Sequence, residues 1–514
     1  MNGPGAEWGG GYVTDIAYLP GYYHHQSPLH LHLACLLGGV SGLAIAPKGP
    51  LSYLELGCGC GFGALALAAS NPAWQVTGID FSPAHIAAAR ELAAEAGISN
   101  ARFIEADLAD FADSDRADAL PEADVITLHG LWSWVSEPVR AGIVRLLDRK
   151  LRPGGVAYVS YNALPGWQQA IGMQRLLREA GQRGAMRSDR QVEAGIEIVR
   201  ALIDAGAHQL SGNQLVQTLL DHVDRGQLSY LAHEYMNAAW RPCFHADVVR
   251  DLAAAKLDWV ASAELLENFS PLMLGDQARA VMAQFEDPVM RELVKDMSVS
   301  RCFRRDVFVR GARRLSDAER DAALGEVTLA LLRSEAEFIW EMDVPAGRAA
   351  IERGFFGPIV AALADGPRRV CDLLALPGLP RRDNPGELVG VLVGTGQTMP
   401  LLASPREPDA HAHAHAQRFN SAAARRFVKP DNLNTGMALA SSGTGAPLPC
   451  PMLDLFVAAR MQACERPDPE GWASMLGSNQ SPAEQQRLAA FIERLIAERA
   501  PLWRWLGCLA PNRP

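Results

Sequence analysis

The run Tyr53-Leu54-Glu55-Leu56-Gly57-Cys58-Gly59-Cys60-Gly61-Phe62-Gly63 constrains the fold more than any other stretch. An apolar segment ends in an acid, glycine then recurs at every second position, and a helical pattern follows. Glycine lets the backbone turn tightly and lets a ligand approach the main chain. The helix that follows begins with free N–H groups. Strand, turn and helix together predict a nucleotide-binding corner of an α/β sheet.

The flanking pattern supports that corner. Strands are predicted over 51–56, 75–80, 101–106, 124–128 and 156–161, with helices between them. Ser82 caps one helix, Pro83 opens it and Gly97 closes it. Ser136 starts another helix that runs to Lys150, and Pro153-Gly154-Gly155 turns into the last strand. Repeated βα units of this length imply a doubly wound, Rossmann-like α/β fold.

Composition excludes some partners. The chain has 514 residues and a formal net charge of -10, against the basic face that sequence-independent binding to nucleic acid requires. The apolar run 33–46 is broken by glycines and falls short of the ~20 residues that span a bilayer, so no membrane insertion is expected. It reads as a core helix. Nine cysteines without a pairing pattern suit reduced thiols, and a cytoplasmic location is expected.

Three acids decide the ligand class. Asp80 ends the second strand 19 residues after Gly61, close to the ~20 that separate glycines and ribose carboxylate in dinucleotide folds. A hydride-transfer enzyme is therefore the first rival. Glu55 argues against it, because a carboxylate before the glycines repels a pyrophosphate but welcomes an α-amino group or a sulfonium. The spacing is also G-x-G-x-G rather than G-x-G-x-x-G. Asp107, after the third strand, is placed to accept an adenine amino group.

On these residues, 53–161 resembles a class I S-adenosylmethionine-dependent methyltransferase. The resemblance implies S-adenosyl-L-methionine as cofactor, with Glu55 beside the methionine moiety, Asp80 on the ribose and Asp107 on the adenine. Gly57, Gly59 and Gly61 complete the cradle, with Phe81 and Leu108 beside the two acids. The segments 129–136 and 160–167 resemble a subgroup that carries a methyltransferase regulatory domain, and so do Leu231-Ala232-His233-Glu234-Tyr235, Trp240-Arg241-Pro242 and 304–310. That subgroup includes rickettsial-type protein lysine methyltransferases. It implies a protein substrate, methylated on lysine, and a homodimer.

Methyl transfer from a sulfonium needs a neutral nucleophile on the S–CH₃ axis and a dry site. Residues beyond strands four and five are the candidates. His129 is expected to touch cofactor or substrate, and Tyr161 and Asn162 to border the acceptor. Trp132 and Trp134 either wall an aromatic pocket or pack in the core, and Trp167 reads as packing. Tyr18 and Tyr22 are expected to fold over the cofactor. His233-Glu234 has no second histidine at i+4, so a zinc site is not expected.

The resulting division is an N-terminal helical lid (1–50), the S-adenosylmethionine-binding domain (51–167), a helical regulatory and dimerising region (168–330), a winged-helix-like domain (331–405) and a loop with a C-terminal helical region (406–514). The stretch 404–418, with alternating His411, His413 and His415, reads as a loop. The six arginines of 301–314 read as a solvated helix face, an internally paired cluster or a contact for an acidic partner. Two other functions compete: methylation of a small molecule, and cofactor binding without catalysis.

Overall fold

The computed structural model describes residues 11–16, 20–46, 49–184, 187–380, 384–402, 410–442, 444–463, 466–477 and 481–510. Tyr18 lies outside them. After α1 (Pro28–Leu37), the sheet domain alternates β1 (Ser52–Leu56), α2 (Phe62–Ser70), β2 (Gln75–Asp80), α3 (Pro83–Ala96) and β3 (Ala101–Glu105). Two single turns follow, α4 (Leu108–Phe111) and α5 (Asp115–Asp118), then β4 (Ala123–Leu128), α6 (Glu137–Lys150) and β5 (Leu151–Asn162). The caps are local chemistry: Ser82 accepts from His85 N at the start of α3, and Gly97 closes it at φ 64°.

Four helices come next: α7 (Ile171–Gly181), α8 (Ser188–Asp204), α9 (Gln214–Asp224) and α10 (Leu228–Tyr235). They bury a small core of their own that includes Trp167, Leu177, Ile196, Leu231 and Tyr235. The chain then returns to the sheet through α11 (His245–Ala253) and β6 (Leu257–Ser262). Three further helices, α12 (Ser270–Met273), α13 (Asp276–Met282) and α14 (Pro288–Ser298), lead to β7 (Phe303–Arg310).

The seven strands run in the order β3-β2-β1-β4-β5-β7-β6. The first five are parallel; β7 is antiparallel to both β5 and β6. The strand order reverses between β1 and β4, which opens a crevice at their carboxyl ends. Two apolar clusters cover the two faces. Strands buried on both faces carry no polar/apolar alternation, and β4 is buried at all six positions.

The arginine run is not a solvated helix. It supplies β7, an internal strand; Arg301 and Arg304 are buried and paired with acids, while Arg313 and Arg314 beyond the strand are exposed. Arg304 is 1% exposed and bonds Glu292, Asp296 and Asp306. Arg301 pairs with Asp296, Glu292 and Glu267, and Lys295 with Glu292. A charge taken from water persists only when paired and hydrogen-bonded, and here four acids meet three bases.

Beyond the sheet come α15 (Asp317–Gly325), β8 (Thr328–Leu331), a β9–β10 hairpin (Glu341–Val344, Gly347–Ala350), α16 (Arg353–Ala364), β11 (Arg368–Arg369), α17 (Val370–Leu374), α18 (Pro385–Gly394) and β12 (Thr398–Leu401). Strand β8 pairs with both β11 and β12, so the three-stranded sheet of this region takes a strand from before residue 331. The next element, α19 (Ala410–Phe427), corrects the loop reading of 404–418 for residues 410–418. Alanine is the best helix former; His411 and His415, one turn apart, stack with ring centroids 6.2 Å apart, and His413 falls on another side of the helix. His415 is 4% exposed and its Nδ1 lies 3.3 Å from Ala69 O on α2. Phe419 and Phe427 set their rings 5.5 and 5.8 Å from Phe62, the first residue of α2.

Candidate active site

The cradle is built from backbone first. Gly57 N and Cys58 N both donate to Ile79 O, at 2.8 and 3.1 Å, which ties the turn to the end of β2. Gly61 adopts φ +69°, and a Cβ there would stand 2.6 Å from the Phe103 ring and 2.8 Å from Ala89. Only glycine fits so close an approach of turn to sheet and α3. Gly59, at φ +53°, has nothing within 4 Å of its Cβ position and faces open space. Its N–H donates to Asp80 Oδ2 at 2.8 Å. Asp80 Oδ1 accepts from Ser82 N at 2.9 Å. One carboxylate therefore shapes the glycine turn and the start of α3 together.

A cleft with about 730 Å³ of empty space lies over this turn, lined by Glu55, Gly57 to Cys60, Asp80, His129 and Gly130. Tyr12, Gly21, Tyr23, Gln26 and His85 close it from outside the motif. Glu55 is 7% exposed and its Oε2 has no hydrogen-bond partner. Burial pushes its carboxyl up to about 8; Gln26 hydrogen-bonds it and nearby Asp80 raises it further. A buried acid without a counter-charge is a receptor for a cation, since an ammonium or sulfonium would restore its ionised form. That orphan oxygen, the open face of Gly59 and the carboxylate at the end of β2 fit an adenosyl sulfonium and would repel a pyrophosphate.

On the acceptor side, His129 Nδ1 lies 2.8 Å from Tyr158 Oη, and the ring stacks on Tyr23 with centroids 3.7 Å apart. Burial, then Arg305 and His25, hold its imidazole well below its usual pKa, so it is neutral. Gly130 N donates to Ser160 Oγ at 2.8 Å. Asn162 is 3% exposed, its backbone N–H bonds Ser133 Oγ at 2.8 Å, and its Nδ2 has no partner. By strand alternation it shares a face with Tyr158 and Ser160.

Tyr161 departs from expectation. The period of two turns it to the opposite face, where it is 0% exposed and donates to Asp306 Oδ2 at 2.5 Å, with His245 Nδ1 at 3.2 Å. It does not border the cleft; the tyrosine on the cleft side is Tyr158. Leu108 is also a correction, since its side chain belongs to the apolar cluster on that opposite face. Asp107 is exposed, caps α4 through Ala109 N at 2.9 Å and is not among the residues lining the cleft. Trp132, 1% exposed, packs in the core.

Phe81 meets Tyr12 edge-on at 5.6 Å. Burial, and then Glu55 beside it, raise the Tyr22 phenol, but Tyr22 lines a neighbouring cavity with His24, Ser27 and Thr398. Tyr23 takes the lid position expected of Tyr22. Tyr12, Tyr23, Gln26 and Tyr158 escape sequence reasoning. The aromatic doublet Tyr22-Tyr23 is visible in the chain, but which ring turns inward depends on the short turn His24–Gln26 that carries it.

Replacing Tyr158 by Phe removes the hydroxyl's bonds to His129 and Ser160. It should cost about 1 kcal/mol of stability and less than about tenfold in turnover. Urea denaturation and steady-state rates measure the two.

Sheet order, glycine turn and flanking carboxylates define a methyltransferase sheet, in which β7 alone runs antiparallel, between β5 and β6. Residues 54–155 match the family described as methyltransferase domain, and 227–310 match that described as predicted methyltransferase regulatory domain. Protein sll1526 of Synechocystis sp. is 33% identical over 366 residues, 71% of this chain and 71% of that protein. Protein RP028 of Rickettsia prowazekii is 33% identical over 165 residues, 32% of this chain and 61% of that one. The structure of PKMT2 from Rickettsia typhi in complex with AdoHcy superposes with a TM-score of 0.68 at 16% identity, covering 96% of this chain and all of that one. The chain belongs to the class I S-adenosylmethionine-dependent methyltransferases that carry a methyltransferase regulatory domain. Its cofactor is S-adenosylmethionine.

Proposed function

We propose that this enzyme methylates lysine side chains of a protein substrate. The observation that supports the reading is the pairing at the cleft wall of a neutral histidine, His129, with the stacked Tyr23 ring, and in it the unpartnered amide of Asn162 at the end of β5 serves the acceptor. Bound S-adenosylmethionine supplies an electrophilic methyl group on a neutral leaving sulfide. The protein's part is to hold an uncharged amine in line and keep water out. A lysine ammonium, of pKa about 10.4 in water, loses its proton more readily on entering so aromatic a cleft. The Tyr23 and His129 rings narrow the entrance, and Asn162 has a free amide N–H₂ for the acceptor segment.

The fold shared with PKMT2 extends through the regions behind the sheet domain, and surfaces of that extent favour a large acceptor. In this reading Glu55, Gly57, Gly59, Gly61 and Asp80 hold the cofactor, with Phe81 and Asp107 toward its adenosine end. The region 331–405 serves as a winged-helix-like docking module. The helical region forms the homodimer, for which the exposed Ile198 and Leu202, one turn apart on α8, offer an apolar stripe. Among the described residues no helix is long and apolar enough to cross a membrane, and a cytoplasmic site of action belongs to the same proposal.

Incubation with labelled cofactor and a cell lysate, followed by mass spectrometry, tests it. The expected result is label in protein bands, located on lysine. Label confined to small solutes would replace the acceptor while leaving the chemistry.

A further inference from the structure

Beside the cofactor cleft lies a second cavity, with about 560 Å³ of empty space. Residues 22–27 form the wall between the two. Tyr22, His24 and Ser27 line the second cavity, whereas Tyr23 and Gln26 line the cofactor cleft. Tyr22 stands close to the cradle: a Cβ at Gly63 would lie 4.0 Å from its ring and 3.9 Å from Glu55 Oε1. The far side of the cavity is built from Thr398, Met399 and Pro400 of β12 and from the segment 446–449. Those two meet where Leu402 N donates to Thr444 O at 3.0 Å. Gly396, also on the lining, is exposed, so the cavity reaches the surface there.

Three side chains that line this space carry buried hydroxyls without a partner among the described residues: Tyr22, Ser27 and Thr398. Ser27 is 3% exposed and Thr398 2%. Ser27 is the N-cap of α1, a position from which serine commonly bonds a first-turn N–H; here its side chain makes no such bond. His30 Nε2 lies 2.6 Å from Ala263 O, so that nitrogen carries the proton and Nδ1 is left as an acceptor. A buried hydroxyl left unpaired costs free energy. Segments far apart in the chain nonetheless bring three of them to one cavity.

The lining disfavours charge. It contains no acid, lysine or arginine. Burial, then His25, lower the His30 imidazole to about 4. Burial, then His25 and His30, hold His24 well below its usual value, so both rings are neutral. A charged ligand would enter without a counter-charge, at high cost. Leu332, Val393, Met399 and the prolines make the rest of the wall apolar. A mostly apolar pocket with a few fixed polar groups is the common form of a small-molecule site. A polyol would match the hydroxyls but not these walls. An amide matches both: its oxygen accepts from hydroxyls, its N–H donates to a hydroxyl oxygen, and it carries no net charge.

We propose that this cavity is a second ligand site, for an uncharged small molecule with amide groups on an apolar body, and that its occupation tightens the cofactor cleft through residues 22–27. The ligand's amides pair with the hydroxyls of Tyr22, Ser27 and Thr398. Held from that side, the segment presents Tyr23 to His129 and Gln26 to Glu55 in fixed positions. Such coupling is reciprocal, so the cofactor tightens the ligand by the same factor.

The test adds N-acetyl-L-leucinamide to the full chain, with N-acetyl-L-leucine and L-leucinamide as its carboxylate and ammonium counterparts. Calorimetry should show saturable binding of the neutral probe, and binding weaker by about tenfold or more for each charged one. Saturating neutral probe should raise AdoHcy affinity about fivefold. T398V and S27A should each lose about tenfold in probe affinity. Their affinity for AdoHcy alone should stay within about twofold of wild type. Their urea midpoints should not fall, because the hydroxyls removed have no protein partner. No binding of the neutral probe, equal binding of all three probes, or probe affinity unchanged in both variants overturns the site. Midpoints clearly below wild type in both variants overturn it too, by showing that the hydroxyls serve the fold. Probe binding that leaves AdoHcy affinity unchanged overturns the coupling. Should T398V fail to fold, S27A carries the same test.

Discussion

Arg304→Ala is expected to unfold this protein at ordinary temperatures or bring it close to that point, at a cost of about 3–5 kcal/mol. The guanidinium is 1% exposed and bridges Glu292, Asp296 and Asp306 at 2.8–3.0 Å. Removing it strands three buried carboxylates, two of which also face Arg301. The cluster joins α14 to β7, and β7 links β5 to β6, so the loss is transmitted to β5, the strand that carries Tyr158, Ser160 and Asn162. Acid should mimic the substitution. Burial by itself would raise the Glu292 carboxyl, yet Arg304, Lys295 and Arg301 pull it down to about 2. Burial likewise opposes ionisation of Asp306, but Arg304 and His245 hold it well below its usual value. Both folded pKa values are depressed. Their stabilisation is complete above the unfolded carboxyl range and is lost as pH falls from about 4.5 toward 2. Urea melts of the wild type between pH 7 and 3 should show that slope, and R304A should show less of it. An R304A midpoint within error of wild type would mean the cluster holds nothing together.

Asp80→Ala is expected to weaken AdoHcy binding by roughly 4 kcal/mol, about 1,000-fold, from two lost charge-assisted hydrogen bonds to the ribose. A second contribution comes from the protein. Asp80 Oδ2 holds the Gly59 N–H and Oδ1 holds Ser82 N, so the alanine variant also loosens the glycine turn. Asp80→Asn separates the two effects: its amide oxygen can keep the Gly59 bond while the charge is gone, and affinity should fall between the other two. Calorimetry gives the three constants. Equal affinities for wild type and alanine variant would end the assignment of Asp80 to the ribose.

The place of Asp80 on the cleft wall is legible because its signals are local in sequence. Alternating glycines, the acid at the end of β1 and the distance to the acid at the end of β2 all follow from one strand–turn–helix–strand unit. Gly61 and Asp80 need no distant partner to be read. Tyr161 shows where reading stops. In a strand buried on both faces, hydropathy does not alternate, so nothing in 156–162 says which tyrosine stands behind His129. A one-residue choice of face exchanges Tyr158 for Tyr161. Strands β6 and β7 were hidden for a related reason. For Arg304 and Arg305 the sequence leaves a solvated face, internal pairing and a partner contact open, and Glu292, Asp296 and Glu264, arriving from elsewhere in the chain, decide for internal pairing.

The sequence by itself determined the doubly wound sheet and the cofactor cradle, because turn chemistry and strand spacing are short-range properties of the backbone. Only the tertiary structure decided the acceptor side. His129 with Tyr23 and Tyr158, and Tyr12 with Phe81 and His233, come together from segments far apart in the chain. Such meetings depend on packing and on the burial of charge, and these exist only once the chain has closed on itself.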